Sequence, residues 1–232
     1  MTELLYLEDS YKEDFEATVK VAQGRNIVLD KTAFYPESGG QPDDRGKLVQ
    51  LPNGRNFMIR GVKKLGDSII HEIDEDGLKV GDTVHGWVDM ERRYKHMRMH
   101  TACHILSSRT GVLTTGKQIT FDKSRIDFDL ENFNADLAKQ FIALANEVTA
   151  QDIPVKTSFM SYADVMKNPE MIKLKYKLPP SVPNLRIVEI AGIDMQPCGG
   201  THVKSTKEVG QLEFAGVENK GKDKKRIYFT LK

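Results

Sequence analysis

Two short motifs, each carrying metal-type side chains four residues apart, constrain this chain more than any other feature. They are His100-Thr101-Ala102-Cys103-His104 and Cys198-Gly199-Gly200-Thr201-His202. The first lies in Asp89–Arg109, where Met90, Tyr94, Met97, Thr101, His104 and Ser108 recur at helical spacing, Asp89 can cap the start and Gly111 can end it. On a helix, residues four apart share a face with Cβ atoms about 5–6 Å apart, so two imidazoles there can grip one tetrahedral ion. In the second motif the diglycine permits a tight turn that points the Cys198 thiolate and the His202 imidazole at a common centre. Either pair alone is weak evidence, because a histidine pair on a helix is usually a surface feature. Together they predict one zinc ion per chain, held by His100, His104, Cys198 and His202. The fold must then close the gap of some ninety residues between the motifs.

The histidine spacing also matches that of His-Glu-x-x-His zinc proteases, but position 101 is threonine, which has no carboxylate to serve as general base. Protease chemistry is therefore disfavoured. Four protein ligands resemble a closed structural site, whereas a hydrolytic zinc usually keeps a position for water.

Composition bounds the rest. With 34 basic against 33 acidic residues and 39% hydrophobic content, the chain is ordinary globular material, long enough for one large core or two small ones. No apolar run approaches the roughly 20 residues of a membrane span. The acidic start MTELLYLEDS does not read as a signal peptide, and two cysteines give no disulfide framework, so a reducing, cytoplasmic setting is expected. Near-neutral charge does not advertise nucleic acid. Local basic clusters matter more than the total, and each is either a nucleic-acid contact or a solvated charged face: Arg92, Arg93, Lys95 and Arg98 on the metal helix, and Lys220, Lys222, Lys224, Lys225 and Arg226 near the C-terminus. Of these, Arg92, Arg93, Lys222, Lys224, Lys225 and Arg226 are the candidate phosphate contacts.

Residues 1–89 read as all-β. Phe15–Val21 and Asn26–Leu29 flank a turn at Gln23-Gly24-Arg25, Gly46–Leu51 and Asn56–Val62 flank Pro52-Asn53-Gly54, and Ser68–Ile73 and Thr83–Val88 follow. Six short strands at this spacing predict a small barrel. Thr32–Gly46 is too rich in glycine and proline for a strand and reads by composition as a long loop. Residues 90–232 begin with the metal helix and continue with a hairpin of Lys117–Thr120 and Arg125–Leu130. An amphipathic helix follows over Asn134–Gln151 with the stripe Leu137, Phe141, Leu144 and Val148. Strands are expected at Pro154–Met160, Leu185–Ile190, Gly210–Val217 and Arg226–Leu231, and Ser161 can cap a short helix before Pro169. Helices against antiparallel strands make this part α+β, with the Cys198–His202 loop leaving a strand to face the metal helix.

The paired motifs, HTACH and CGGTH, resemble the editing domain of alanyl-tRNA synthetases and the free-standing alanyl-tRNA editing proteins of the AlaX type. The resemblance extends over nearly the whole chain, which is too short to hold an aminoacylation domain as well. It implies a translation-protein-like β-barrel followed by a two-layer α+β editing domain of the threonyl/alanyl-tRNA synthetase type. It also implies a selectivity loop at Ser38, Gly39, Gly40 and Gln41, and a substrate pocket drawing on Thr101, Cys103, Gln118, Arg125 and Asp127. Ser38 departs from the free-standing proteins, which often have a third consecutive glycine there.

Two functions follow. In one, the protein is a zinc-dependent trans-editing deacylase acting on tRNA(Ala) mischarged with serine, with glycine as a further candidate, and sparing Ala-tRNA(Ala). In the other, zinc staples a fold that binds RNA without chemistry. The first is preferred because a glycine-rich loop, Gln118 and Cys103 converging on the metal would be superfluous around a staple.

Overall fold

The structure is a computed structural model, and it describes residues 2–131, 133–173, 183–221 and 224–232. The chain divides into two compact units, Met1–Lys95 and His96–Lys232.

The first unit contains β1 (Glu3–Leu4), β2 (Asp14–Gln23), β3 (Asn26–Leu29), β4 (Lys31–Thr32), β5 (Gly46–Leu51), β6 (Asn56–Leu65), β7 (Ser68–Ile73) and β8 (Thr83–Val88). Six of them close a barrel in the order β2-β3-β7-β6-β5-β8, with every neighbouring pair antiparallel. The period-two pattern builds it: Phe15, Ala17 and Val19 on β2 and Ile69, His71 and Ile73 on β7 turn inward, while their neighbours face outward.

The glycine-rich stretch between β4 and β5 is anchored along its length rather than a bare connection. Phe34 joins the barrel core. Ser38 and Gln41 exchange backbone hydrogen bonds of 3.1 and 2.9 Å across Gly39 and Gly40, whose φ angles of +57° and +84° suit a type I′ turn. Asp44 accepts from the Tyr35 amide at 2.6 Å and receives the guanidinium of Arg93.

Helix α1 (Met90–Thr110) begins in the first unit and continues into the second. The Asp89 carboxylate accepts from the Arg92 amide at 3.1 Å as its cap, and Gly111 ends it at φ +68°. From Met97 to Leu106 the helix is buried on nearly every side, Arg98 being the half-buried exception, which is broader than the single stripe its sequence suggests. Such a helix must satisfy its polar side chains internally, and the metal-type residues sit in this stretch.

The second unit continues with β9 (Thr114–Gln118), β10 (Ser124–Phe128), α2 (Ala135–Thr149), β11 (Val155–Ser161), α3 (Tyr162–Met166), β12 (Asn184–Ile190), β13 (Asp194–Pro197), β14 (Leu212–Asn219) and β15 (Lys225–Leu231). The strands form two antiparallel sheets, β14-β15-β10-β9 and β11-β12-β13. Asn134 caps α2 by accepting from the Leu137 amide. The buried stripe of α2 is one residue off the expected one: Ala138, Ile142, Ala145 and Val148 are buried, Leu137 and Phe141 are half-buried, and Leu144 is exposed. Two alanines let the helix lie close to β14, where the Asn146 side chain bonds both backbone groups of Leu212 at 2.8 and 2.9 Å. None of the helices is long and apolar enough to cross a membrane, among the described residues.

Candidate metal centre

Helix geometry places His100 and His104 one turn apart, and β13 delivers Cys198 as the first residue beyond its end. The ligand atoms of His100, His104, Cys198 and His202 all lie within 4.8 Å of one another, so the four residues predicted to bind metal do converge. Cys198 Sγ is 3.5 Å from His100 Nε2 and 3.4 Å from His202 Nε2. Tetrahedral zinc, with bonds of about 2.0–2.3 Å, has edges between ligands of about 3.3–3.7 Å, so these spacings fit one ion.

The loop is shaped by a cation rather than by Gly199. Gly199 does not take a positive φ, and a Cβ there would meet nothing within 4 Å. Instead Arg186, buried on β12, donates Nη1 to the carbonyls of Cys198 at 2.9 Å and Gly200 at 2.8 Å, while the Cys198 amide donates to the Arg186 carbonyl at 2.9 Å.

The imidazoles are aimed by their outer nitrogens. His104 Nδ1 lies 3.0 Å from Asp194 Oδ2, which also accepts from Gln196 Nε2 at 2.7 Å. His202 Nδ1 lies 3.0 Å from the hydroxyl of Thr101, which accepts from the Val203 amide at 3.3 Å. Holding Nδ1 from outside leaves Nε2 to carry the lone pair a metal takes. His104 Nε2 is buried without a hydrogen-bond partner among the described residues, a deficit that a metal ion would remove. The residues present therefore fit such an ion.

The electrostatics agree. Burial would raise the Cys198 thiol, but the charges of His100, Lys117, His104 and His202 hold it well below its ordinary value, toward the thiolate a metal needs. Burial disfavours protonated imidazole throughout. It prevails at His100, assisted by Lys117, and at His202, which falls to about 4; at His104 the charges of Cys198 and Asp194 overcome it and raise the pKa. Cys103, between the two helix ligands, is pushed up to about 12 by burial and is a neutral thiol.

The structure sorts the remaining candidates differently from the sequence. Thr101 is at the centre, holding His202 in position. Gln118, Arg125 and Asp127 are not: they occupy the outer face of the four-stranded sheet, where Arg125 pairs with Gln118 and Asp127 with Gly116. The side chain that β9 turns to the centre is Lys117, whose Nζ is 2.6 Å from His100 Nε2. A one-residue shift along a strand reverses the face, and only that separates the two readings.

On the outer face, Asp127 takes Arg226 at 2.6 and 3.0 Å, Arg125 at 2.9 Å and Lys224 at 3.3 Å, so part of the expected pocket and part of the expected RNA-binding cluster form one network. Lys225 points the other way and is buried, with Nζ on Asn219 Oδ1 and the Gly221 carbonyl. Lys222 lies outside the described residues. Arg93 is wholly buried on Asp44 and the carbonyls of Ser10 and Ala33, and Arg92 bonds the Asp43 carbonyl at 3.1 Å. Burial therefore removes Arg93 and Lys225 from the accessible phosphate contacts.

The sequence motifs do not single out Asp194, Lys117 or Arg186. Asp194 and Gln196 alternate along Asp194-Met195-Gln196-Pro197 into the CGGTH motif, a polar inner face that is visible once this segment is known to be a strand. Arg186, in the apolar run Leu185–Ile190, is a cation where a core residue is expected, which itself signals a specific partner.

The sequence family described as tRNA synthetases class II (A) matches residues 4–92, and that described as the threonyl and alanyl tRNA synthetase second additional domain matches residues 185–228. The alanyl-tRNA editing protein AlaX-M of Methanosarcina barkeri is 44% identical over all of this chain and 99% of its own. That of Saccharolobus solfataricus is 44% identical over the full length of both. The alanine–tRNA ligase of Thermofilum pendens is 40% identical over 94% of this chain but only 24% of the ligase. With identity at this level running from end to end, and the four ligand residues gathered at one centre, the chain belongs to the AlaX-type alanyl-tRNA editing proteins.

Proposed function

We propose that this protein is a trans-editing deacylase that hydrolyses the ester between tRNA(Ala) and a wrong amino acid, chiefly serine, with Gly-tRNA(Ala) as a second candidate substrate, and that the ion it uses is zinc. The observation that carries this reading is the cluster of three buried histidines and the half-buried Cys198, oriented by Asp194 and Thr101, in a chain matched along its length by alanyl-tRNA editing proteins. When bound, zinc would supply a fixed positive centre that neutralises the Cys198 thiolate and orients or polarises the aminoacyl group. The chain's own residues do the rest of the positioning. Asp194 and Thr101 fix two imidazoles, Arg186 fixes the Cys198–His202 loop, and Cys103, uncharged, keeps the helix side of the centre neutral.

Editing has a physical motive, since a pocket for alanine rejects glycine or the hydroxylated analogue serine poorly. The converse discrimination is strong: a site that hydrogen-bonds the serine hydroxyl leaves its own polar groups unpaired with alanine, a penalty of about 10⁴ or more in rate. For this selectivity we keep the turn Ser38-Gly39-Gly40-Gln41. Gly39→Asn adds bulk while tolerating the left-handed backbone, and a lowered preference for Ser-tRNA(Ala) over Ala-tRNA(Ala) with unchanged metal content is the expected result. For the phosphate contacts we keep Lys224 and Arg226 on the outer sheet face and add Arg125 and Lys123, the latter over the Tyr228 ring.

The test is incubation of the purified protein with Ser-tRNA(Ala), Gly-tRNA(Ala) and Ala-tRNA(Ala), with and without chelator and zinc add-back. Release of serine that stops with chelator and returns with zinc is expected. Binding of tRNA without release of any amino acid would leave an RNA-binding module with a structural metal.

A further inference from the structure

We infer that Lys117 is a catalytic residue of this deacylation, its ammonium binding the oxyanion that forms on the ester carbonyl. The inference rests on the hydrolytic reading above.

Three features of the centre lead to it. First, β9 carries Lys117 on the face that looks to α1, half-buried, with Nζ 2.6 Å from His100 Nε2. That nitrogen also lies 3.5 Å from Cys198 Sγ, so the ammonium sits at the rim of the metal seat. An ion taking the His100 lone pair would deprive Lys117 of its acceptor, and an ammonium on a flexible four-carbon stem is free to turn its donors to another oxygen beside the ion.

Second, the charges leave Lys117 in surplus. A divalent cation, the Cys198 thiolate and the Asp194 carboxylate sum to zero, and the imidazoles add nothing when they ligate through neutral rings. The other cation at the ligand loop, Arg186, is 6% exposed and holds the carbonyls of Cys198 and Gly200. Arg186 and Lys117 thus both add positive charge to a site whose reaction generates a negative one, and Lys117 is the one that does not hold the loop carbonyls.

Third, the four protein donors would fill the shell of a tetrahedral ion, so an anion forming beside such an ion would need a second electrophile. Water oxygen bonds to the carbonyl carbon, and the C=O π pair moves to the carbonyl oxygen, where the ammonium meets it. Collapse re-forms C=O and breaks the bond to the ribose oxygen. That oxygen takes up the proton lost by the water, leaving free amino acid and tRNA with its terminal hydroxyl restored.

Lys117→Gln, Lys117→Met and Lys117→Arg test this. Loss of one preorganised oxyanion donor lowers kcat by about 10²–10³, so that loss is expected for Gln and Met, with partial recovery for Arg and with KM nearly unchanged. Two binding probes separate catalysis from scaffolding: tRNA(Ala) bearing serine through a non-hydrolysable amide, and one bearing an anionic tetrahedral phosphonate in place of the ester. Lys117→Gln should bind the amide like the wild type, lose affinity for the phosphonate, and keep one metal per chain. The inference is overturned if Lys117→Gln retains the wild-type rate, loses both probes equally, or gains metal affinity with its rate intact. It fails together with the hydrolytic reading if the wild type leaves Ser-tRNA(Ala) unhydrolysed.

Discussion

Nδ1 of His104 lies 3.0 Å from the Asp194 carboxylate, and both side chains are buried, at 2% and 1% exposure. This bond selects which imidazole nitrogen faces the metal seat. Removing such an outer partner typically weakens metal affinity by about 10–100-fold. Asp194→Asn, which keeps the shape but loses the charge, should show that weakening in a chelator competition, whereas His104→Ala should lose the metal outright. Unchanged affinity in Asp194→Asn would mean that packing alone orients His104.

The barrel and the ligand set were legible in the sequence for the same reason: both repeat at short, fixed spacings. Phe15, Ala17 and Val19 announce their face by period two, and His100 and His104 announce theirs by one helical turn. Asp194, Lys117 and Arg186 were not legible, because each acquires its role from a partner distant in sequence: Asp194 meets a residue 90 positions away and Lys117 one 17 away. The family resemblance singles out Gln118, and the sequence alone does not say that its neighbour Lys117 is on the inward face of this edge strand. The stripe of α2 slipped by one for a related reason. Ala138 and Ala145 carry too little hydrophobic weight to mark a core face, yet their small size is what lets the helix approach the sheet.

Arg93 and Asp44 are both completely buried, and Arg93 also donates to the carbonyls of Ser10 and Ala33 at 3.0 and 2.6 Å. Breaking a buried pair leaves an uncompensated charge, which costs about 3–5 kcal/mol. Arg93→Met and Asp44→Asn should each lower stability by that order in denaturant unfolding. Arg93→Lys should fail to rescue, since an ammonium cannot reproduce the fork that serves three partners at once. If Arg93→Met unfolds like the wild type but binds tRNA less well, Arg93 is an RNA contact after all.

His71 gives the barrel an acid limit that does not involve the metal. It is fully buried and neutral: burial lowers it to about 4, its Nδ1 donates to the Ile27 carbonyl at 3.1 Å, and its Nε2 is 2.8 Å from the Thr32 hydroxyl. Unfolded, it titrates near 6.5, so between about pH 6.5 and 4 the unfolded chain holds the extra proton and stability falls as pH falls. Full stability from this group is present above pH 6.5. A shift of this size corresponds to an acid loss of about 3 kcal/mol. The measurement is chelator-treated protein unfolded at pH 7 and pH 5, with His71→Gln showing a smaller difference than the parent. Equal differences would place the acid sensitivity elsewhere.

Lys224 and Lys225 are neighbours in sequence but opposite in situation, which gives the phosphate contacts a clean test. Lys224 is 46% exposed at the edge of the Asp127 network, beside a face where Lys123 Nζ lies 5.0 Å from the Tyr228 ring. Lys225 is buried, with its ammonium on Asn219 Oδ1 and the Gly221 carbonyl. Arg226 is a poor probe, because its loss strips Asp127 of its nearest cation. Lys123→Gln with Lys224→Gln should therefore weaken tRNA(Ala) binding and reduce the slope of log affinity against log salt by about 1–2, leaving thermal stability and metal content intact. Lys225→Met should do the reverse, lowering thermal stability at an unchanged salt slope. A salt slope that ignores the double substitution but responds to Lys225→Met would move RNA binding off this sheet face.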